Sequence, residues 1–248
     1  MSVQTNQSLS VDCAVFGFDG RSLKVLLIER RDYNPETHLD RMKLPGAMIQ
    51  ENETLPRAAS RVLAEATGLR EIYLKQMEIF SDPGRVTGEE LEWINRYHGI
   101  RTERVVTVGY YALVKLDRRM IAYTAEKRAQ WVEVESIQHL AMDHKQILST
   151  ALGHLCREML QSPVAFELLP RKFTIRQLQN LYAAVLGIEI DNRNFRKKIL
   201  GSGFLIPTDE REKGVSHKPA RYYTFDKTAY KRALKEKLRL GFINNWRY

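Results

Sequence analysis

PGAMIQENETLPRAASRVLAEATGL, residues 45–69, reads as a loop that runs into an amphipathic helix. From Glu53 onward Leu55, Ala58, Ala59, Val62, Leu63 and Ala66 recur at the spacing that gathers side chains on one helical face, and Gly68 follows as a stop. Val62, Glu65 and Ala66 lie within about one turn of such a helix and so sit near one another on its surface. Arg61 and Glu65 stand four residues apart and can pair along the helix surface.

Upstream of this helix, Val11 to Phe18 and Leu23 to Ile28 are short apolar runs separated by Phe18-Asp19-Gly20-Arg21, a turn signal that predicts an antiparallel hairpin. Lys43-Leu44-Pro45-Gly46 is expected to be a loop. Downstream, Ile72 to Phe80 and Arg104 to Val114 read as strands, with the polar segment from Ser81 to Ile100 as a long excursion between them, of the kind that lines pockets. Trp131-Val132 continues the sheet. A helix opens at Asp143-His144 and runs to about Leu160.

A second unit follows Leu169-Pro170. Thr174 is placed to cap a helix over Ile175 to Leu186 that Gly187 ends; Asp191 is placed to cap another over Asn192 to Leu200, stopped by Gly201-Ser202-Gly203. Two helices joined by so tight a turn predict a helix-turn-helix. Phe204 to Pro207 and Arg221 to Phe225 read as strands around a charged loop, Thr208 to Ala220, which would form a wing. Thr228 to Leu240 reads as a basic amphipathic helix with Leu234, Leu238 and Phe242 packed inward.

Charge separates the two units more sharply than any other property. Residues 1–169 hold 21 Lys+Arg against 23 Asp+Glu, whereas residues 170–248 hold 18 against 7, so the net +9 of the 248-residue chain resides in its last third. That points to a polyanionic partner for the second unit. Counting about 100° per residue from Phe195 turns Phe195 and Ile199 inward and leaves a donor-rich outer face. Arg193, Asn194 and Lys197 are the candidates for reading base edges, and Arg196, Lys198 and Arg176 for anchoring phosphates. The wing adds Arg211, Lys213, His217, Lys218 and Arg221.

Cys13 and Cys156 form no disulfide scaffold or metal-ligand pattern, which fits a reducing compartment. No basic segment followed by an apolar stretch opens the chain, and the longest apolar run, around Val105 to Val114, is about half of the ~20 residues that a membrane-spanning helix needs. A cytoplasmic location without membrane attachment is the expectation.

Residues 45–69 resemble the Nudix box, G-x5-E-x7-R-E-U-x-E-E-x-G-U with U a bulky aliphatic. The first glycine falls at Ala47, the next glutamate at Glu53 and the arginine at Arg61; Val62 and Ala66 stand where the family has metal-binding glutamates, while Glu65, Gly68, Leu63 and Leu69 match. With Ser81-Asp82-Pro83-Gly84-Arg85, the strand ending Gly109-Tyr110-Tyr111-Ala112-Leu113-Val114, Trp131, and Asp143-His144 with Ile147-Leu148, the chain as a whole is similar to the Nudix-related transcriptional regulators. The resemblance implies an α+β protein: a Nudix-like α/β/α sandwich with a mixed sheet over residues 1–160 and a winged helix-turn-helix over 161–248. It further implies a homodimer on a palindromic operator in double-stranded DNA, commonly as a repressor, with the Nudix pocket sensing a small-molecule effector.

The lost carboxylates lead to the expectation of a protein that is not an enzyme and has no cofactor, and they favour a free sugar such as arabinose as effector over ADP-ribose, since a diphosphate is usually held through the metal. Lys43, Glu53, Arg61, Asp82 and Arg85 are the candidate effector contacts. The alternatives are an ADP-ribose-responsive regulator of NAD metabolism, an active Nudix pyrophosphohydrolase, and a basic module that grips RNA or other polyanions without sequence preference.

Overall fold

The computed structural model describes residues 5–31, 33, 36, 39–70, 72–216 and 218–235, with Thr5 and the last three of these as backbone only. Two compact units emerge. One runs through Gly17 and from Lys24 to His154; the other takes Phe18–Leu23 and resumes at Leu155.

The first unit is built on a mixed sheet of the strands β1 (Thr5–Phe18), β2 (Leu23–Glu29), β3 (Met42–Lys43), β4 (Gly46–Gln50), β5 (Tyr73–Phe80), β6 (Val106–Lys115) and β7 (Ala129–Glu133). Its main path is β3-β2-β1-β6-β5, with β4 paired to β1 and β7 to β2. β1 and β6 are buried on both faces, which is why they read as near-continuous apolar runs rather than as alternating ones. Val11, Cys13 and Val15 of β1 join Val108, Tyr110, Ala112 and Val114 of β6 under helix α1 (Leu55–Thr67), which contributes Ala58, Ala59, Val62, Leu63 and Ala66. Complete burial of a side chain such as Leu63 contributes roughly 2 kcal/mol. Gly68 ends α1 in the left-handed region, φ 73°, and a Cβ there would lie 2.8 Å from the Tyr123 ring.

The turn after β1 forms as the Asp-Gly pair requires: the Asp19 carboxylate accepts from the Arg21 and Ser22 amides at 2.9 Å, and Gly20 takes φ 97°. Residues 43–46 depart from the loop expected for them, because Lys43 closes β3 and Gly46 opens β4. Pairing with β1 carries the segment into the sheet, with Asp12 opposite Gly46. Only glycine allows it: a Cβ at 46 would sit 1.8 Å from the Asp12 carboxylate.

The polar excursion at 81–100 contains a helix, α2 (Gly88–His98), and another, α3 (Arg118–Glu126), precedes β7. Each buries too few apolar residues to give a stripe, Trp93 and Ile94 in α2 and Met120 in α3. A second core of Met48, Val86, Trp93, Ile94 and Val105 holds α2. Helix α4 (His144–Gln161) contains the point where the two units part.

The second unit has a short helix α5 (Ala165–Leu168), helices α6 (Ile175–Leu186) and α7 (Asn192–Gly201), and a three-stranded sheet of β8 (Phe173–Thr174), β10 (Arg221–Phe225) and β9 (Leu205–Arg211), in that order. Thr174 and Gln177 form a reciprocal capping box at α6, and the Asp191 side chain accepts from the Asn194 amide at 2.7 Å at α7. Gly187, at φ 64°, ends α6 and opens the tight turn. Phe166 stacks on Phe225 at 3.9 Å, joining α5 to the sheet. The wing is shorter than the sequence suggests, since Thr208 to Arg211 remain in β9. Helix α8 (Lys227–Lys235) begins one residue early, and its expected continuation to Leu240, with the inward packing of Leu234, Leu238 and Phe242, lies outside the residues whose side chains are described.

Candidate functional site

Between α1, α2 and the β2 edge of the first unit opens a cavity of about 460 Å³. Its floor is Val62 and Ala66, both under a tenth exposed, with Glu65 beside them. Trp93, Tyr97 and His98 of α2 and Tyr123 of α3 supply aromatic walls, and Arg31, Lys43 and Lys127 supply positive charge. Trp93 and Tyr97 stack at 4.9 Å with planes 7° apart. The Trp93 indole N–H donates to the Arg31 carbonyl at 3.2 Å, which ties α2 to the chain leaving β2. Burial, reinforced by the Lys43 charge, pushes the His98 pKa down to about 4, so its ring is neutral at physiological pH.

A smaller polar recess borders the cavity, sharing Lys43, Gly46, Ala47, Trp93 and His98. At its base His144, 2% exposed, accepts from the Leu44 amide through Nδ1 at 2.9 Å and therefore carries its proton on Nε2, 3.7 Å from Asp12. Burial holds the His144 pKa down to about 4 against the pull of Asp12. Burial lowers the Lys43 pKa as well, with Arg30 adding to the shift and Asp12 opposing it.

The candidate effector contacts named from the sequence have different fates. Lys43 lines both hollows. Glu53 and Arg61 are joined by two hydrogen bonds of 2.9 and 2.8 Å, Arg61 also reaches the Met48 carbonyl at 3.3 Å, and Glu53 accepts from the Gln50 amide at 3.2 Å. That pair fastens the loop before α1 to the helix, and the hydrogen bonds from Arg61 hold the Glu53 carboxyl below its ordinary pKa. Asp82 is exposed and accepts from the Gly84 amide at 2.7 Å. Arg85 borders the polar recess, clasping Asp143 at 2.8 and 2.7 Å and donating to the Val105 carbonyl at 3.3 Å. Burial raises the Asp143 pKa even so. Sequence reasoning missed Trp93, Tyr97, His98, Tyr123 and Lys127, all of which ride on or directly after the two unforeseen helices.

A catalytic divalent cation is what the box would ordinarily supply with ligands, and the residues present do not fit one. Val62 and Ala66 offer no oxygen, Glu53 is committed to Arg61, and Glu65 is largely exposed 3.6 Å from Arg61. Among the described residues no group of three or more His, Cys, Asp or Glu could hold a metal.

In the second unit Phe195 and Ile199 are the buried residues of α7, while Arg193, Asn194, Arg196 and Lys197 are exposed and Lys198 is half-buried. Arg176 is exposed in the first turn of α6. Lys218 and Arg221 are exposed at the base of the wing, where Arg221 lies opposite Arg211 across β9 and β10. His217 lies outside the described residues.

Residues 7–151 match the NUDIX domain, and residues 165–225 match the NrtR DNA-binding winged helix domain. The chain belongs to the Nudix-fused transcriptional regulator family. This regulator is 28% identical over 221 residues to the ADPR responsive transcriptional repressor NtrR of Acinetobacter baylyi, covering 88% of this chain and 81% of that one. It superposes on Shewanella oneidensis NrtR complexed with a 27mer DNA with a TM-score of 0.68 and 27% identity, covering 90% of this chain and 95% of the other. A MutT/nudix family protein from Enterococcus faecalis shares the fold, with a TM-score of 0.58 and 22% identity.

The Acinetobacter relative overturns the expectation of arabinose or another sugar as effector, because a Nudix-fused regulator alike over most of its length responds to ADPR. The metal is the usual means of holding a diphosphate, but fixed cations can neutralise one in its place. Arg31, Lys43 and Lys127 stand in the same cavity. No described helix is long and apolar enough to cross a membrane.

Proposed function

We propose that this regulator is a DNA-binding transcription repressor, acting as a homodimer on a palindromic operator, whose Nudix domain binds ADP-ribose or a close relative of it without hydrolysing it. One observation carries the reading: the cavity floor at the positions of the missing glutamates is apolar, Val62 and Ala66, under walls of aromatic and cationic side chains. Such a surface suits a nucleotide, with aromatic faces for the base and fixed cations for the phosphates. Without the metal that would polarise the diphosphate and activate water, binding is uncoupled from turnover.

Regulation then follows from linkage. A ligand that favours one arrangement of the dimer changes the separation of the two α7 helices, whose half-sites must lie about 34–36 Å apart to enter successive major grooves. ADP-ribose and operator weaken each other by the same factor. Fluorescence anisotropy of a labelled operator, titrated with protein at several fixed ADP-ribose concentrations, tests this. Operator affinity is expected to fall as ADP-ribose rises, and operator binding indifferent to ADP-ribose would refute the proposal.

A further inference from the structure

Beside the main cavity, and sharing Glu29, Arg31 and Lys127 with it, lies a second hollow of about 560 Å³. Its remaining charged residues are Arg30, Glu126 and Arg128. Arg31, Lys127 and Arg128 are exposed. Glu29 is engaged by Arg41 at 2.8 Å and Glu126 is exposed, so positive charge exceeds negative among the lining residues. Arg30 is 2% exposed; it pairs with Glu90 through Nη2 and lies 4.4 Å over the Trp93 ring, and among the described residues its Nε and Nη1 have no hydrogen-bond partner. Glu90 balances the charge of this guanidinium, but its spare buried donors would favour an anion nearby.

The backbone beneath these cations is fixed. Arg128 takes φ 56°, a conformation rare for a residue other than glycine; its amide donates to the Ala125 carbonyl at 3.0 Å and its carbonyl accepts from the Glu29 amide at 3.4 Å. The Lys127 amide donates to the Thr124 carbonyl at 3.0 Å, and the Arg31 carbonyl is held by the Trp93 indole. Positively charged groups on rigid supports can meet an anion with little rearrangement.

Resting on the ADP-ribose reading, we propose that Arg31, Lys127 and Arg128 form a metal-independent diphosphate-binding subsite, supplying the positive charge that magnesium supplies in the hydrolytic members of the fold. Two guanidinium forks and an ammonium match phosphate oxygens with charge-assisted hydrogen bonds. The subsite begins where the aromatic cavity ends, so one ligand can span both. Side-chain cations in place of a metal neutralise the phosphates without generating a metal-bound hydroxide, so the ligand is retained intact.

Calorimetric titration of the full-length protein in EDTA, with ADP-ribose and separately with inorganic pyrophosphate, tests the subsite. Both should bind without added metal, more weakly as salt rises. Arg31→Gln combined with Lys127→Gln should weaken both by at least tenfold and leave the melting temperature unchanged, since both side chains are exposed. Arg118→Gln, an exposed cation of α3 outside the hollow, should bind as the parent does. Equal affinity in the double variant, or binding that appears only with magnesium, would overturn the subsite. Pyrophosphate binding that the double variant loses, with no ADP-ribose binding in the parent, would support the subsite and refute the ADP-ribose reading.

Discussion

In the winged helix, Arg193, Asn194, Arg196 and Lys197 of α7 stand exposed on one face, available to an external partner. In the Nudix domain, Glu53, Arg61, Arg85 and Asp143 are turned toward one another and hold loops in place. The same residue types therefore do opposite work. A charged side chain next to apolar neighbours in the sequence can be a contact for a ligand or an internal tie, and burial decides which. Substitutions in the first unit should act mainly on stability, and those on α7 mainly on binding.

The largest effect is expected at Arg85. Replacing it with alanine leaves Asp143 buried without its partner, and breaking a buried ion pair in this way costs about 3–5 kcal/mol. Urea unfolding of Arg85→Ala should show that loss with operator binding retained at low temperature; a loss confined to ligand binding would mean that Arg85 belongs with the effector contacts after all.

Acid should expose the next effect. His144 is held neutral when folded, with its pKa pushed down to about 4 from an ordinary value near 6.5. Its contribution is therefore complete above pH 6.5 and is lost as the pH falls from there toward 4, by roughly 3 kcal/mol in all. Unfolding curves between pH 7.5 and 4 should lose stability over that window, and His144→Phe should flatten the slope.

The contrast reverses on α7. Arg193→Ala and Lys197→Ala should each lower affinity for the operator by about 1–3 kcal/mol while leaving the unfolding midpoint where it was. Footprints identical to the parent's would displace the reading surface from α7. The smallest effect is expected for Arg61→Lys, which keeps the charge but gives up the paired hydrogen bonds to Glu53, at about 1 kcal/mol of stability measured in urea.

The sequence showed most clearly what is held by local chemistry. Thr174 with Gln177, Gly187 and Asp191 mark the ends of α6 and α7 within a few residues of where their effects are felt, and α1 shows an unbroken apolar stripe. α2 and α3 escaped because each buries too few apolar residues to set up a helical stripe. α2 nevertheless carried a signature: Glu89 and Glu90 in its first turn and Arg96 in its last, the charge order that a helix dipole favours, with Gly99 in the left-handed region after it. Missing that helix meant missing Trp93, Tyr97 and His98, and with them most of the aromatic wall of the cavity. That Glu53 and Arg85 also serve as internal ties escaped for a different reason. Their partners, Arg61 and Asp143, lie 8 and 58 residues away, and only the folded chain reveals that each is already engaged.

On the proposed function, the cavity binds a diphosphate ligand and leaves it whole. Phosphorus NMR of ADP-ribose mixed with the protein, first in EDTA and then in excess magnesium, follows both the binding and the integrity of the ligand. Shifted or broadened diphosphate resonances that persist unchanged for hours under both conditions are the expected result. The growth of AMP and ribose 5-phosphate signals on adding magnesium would contradict it.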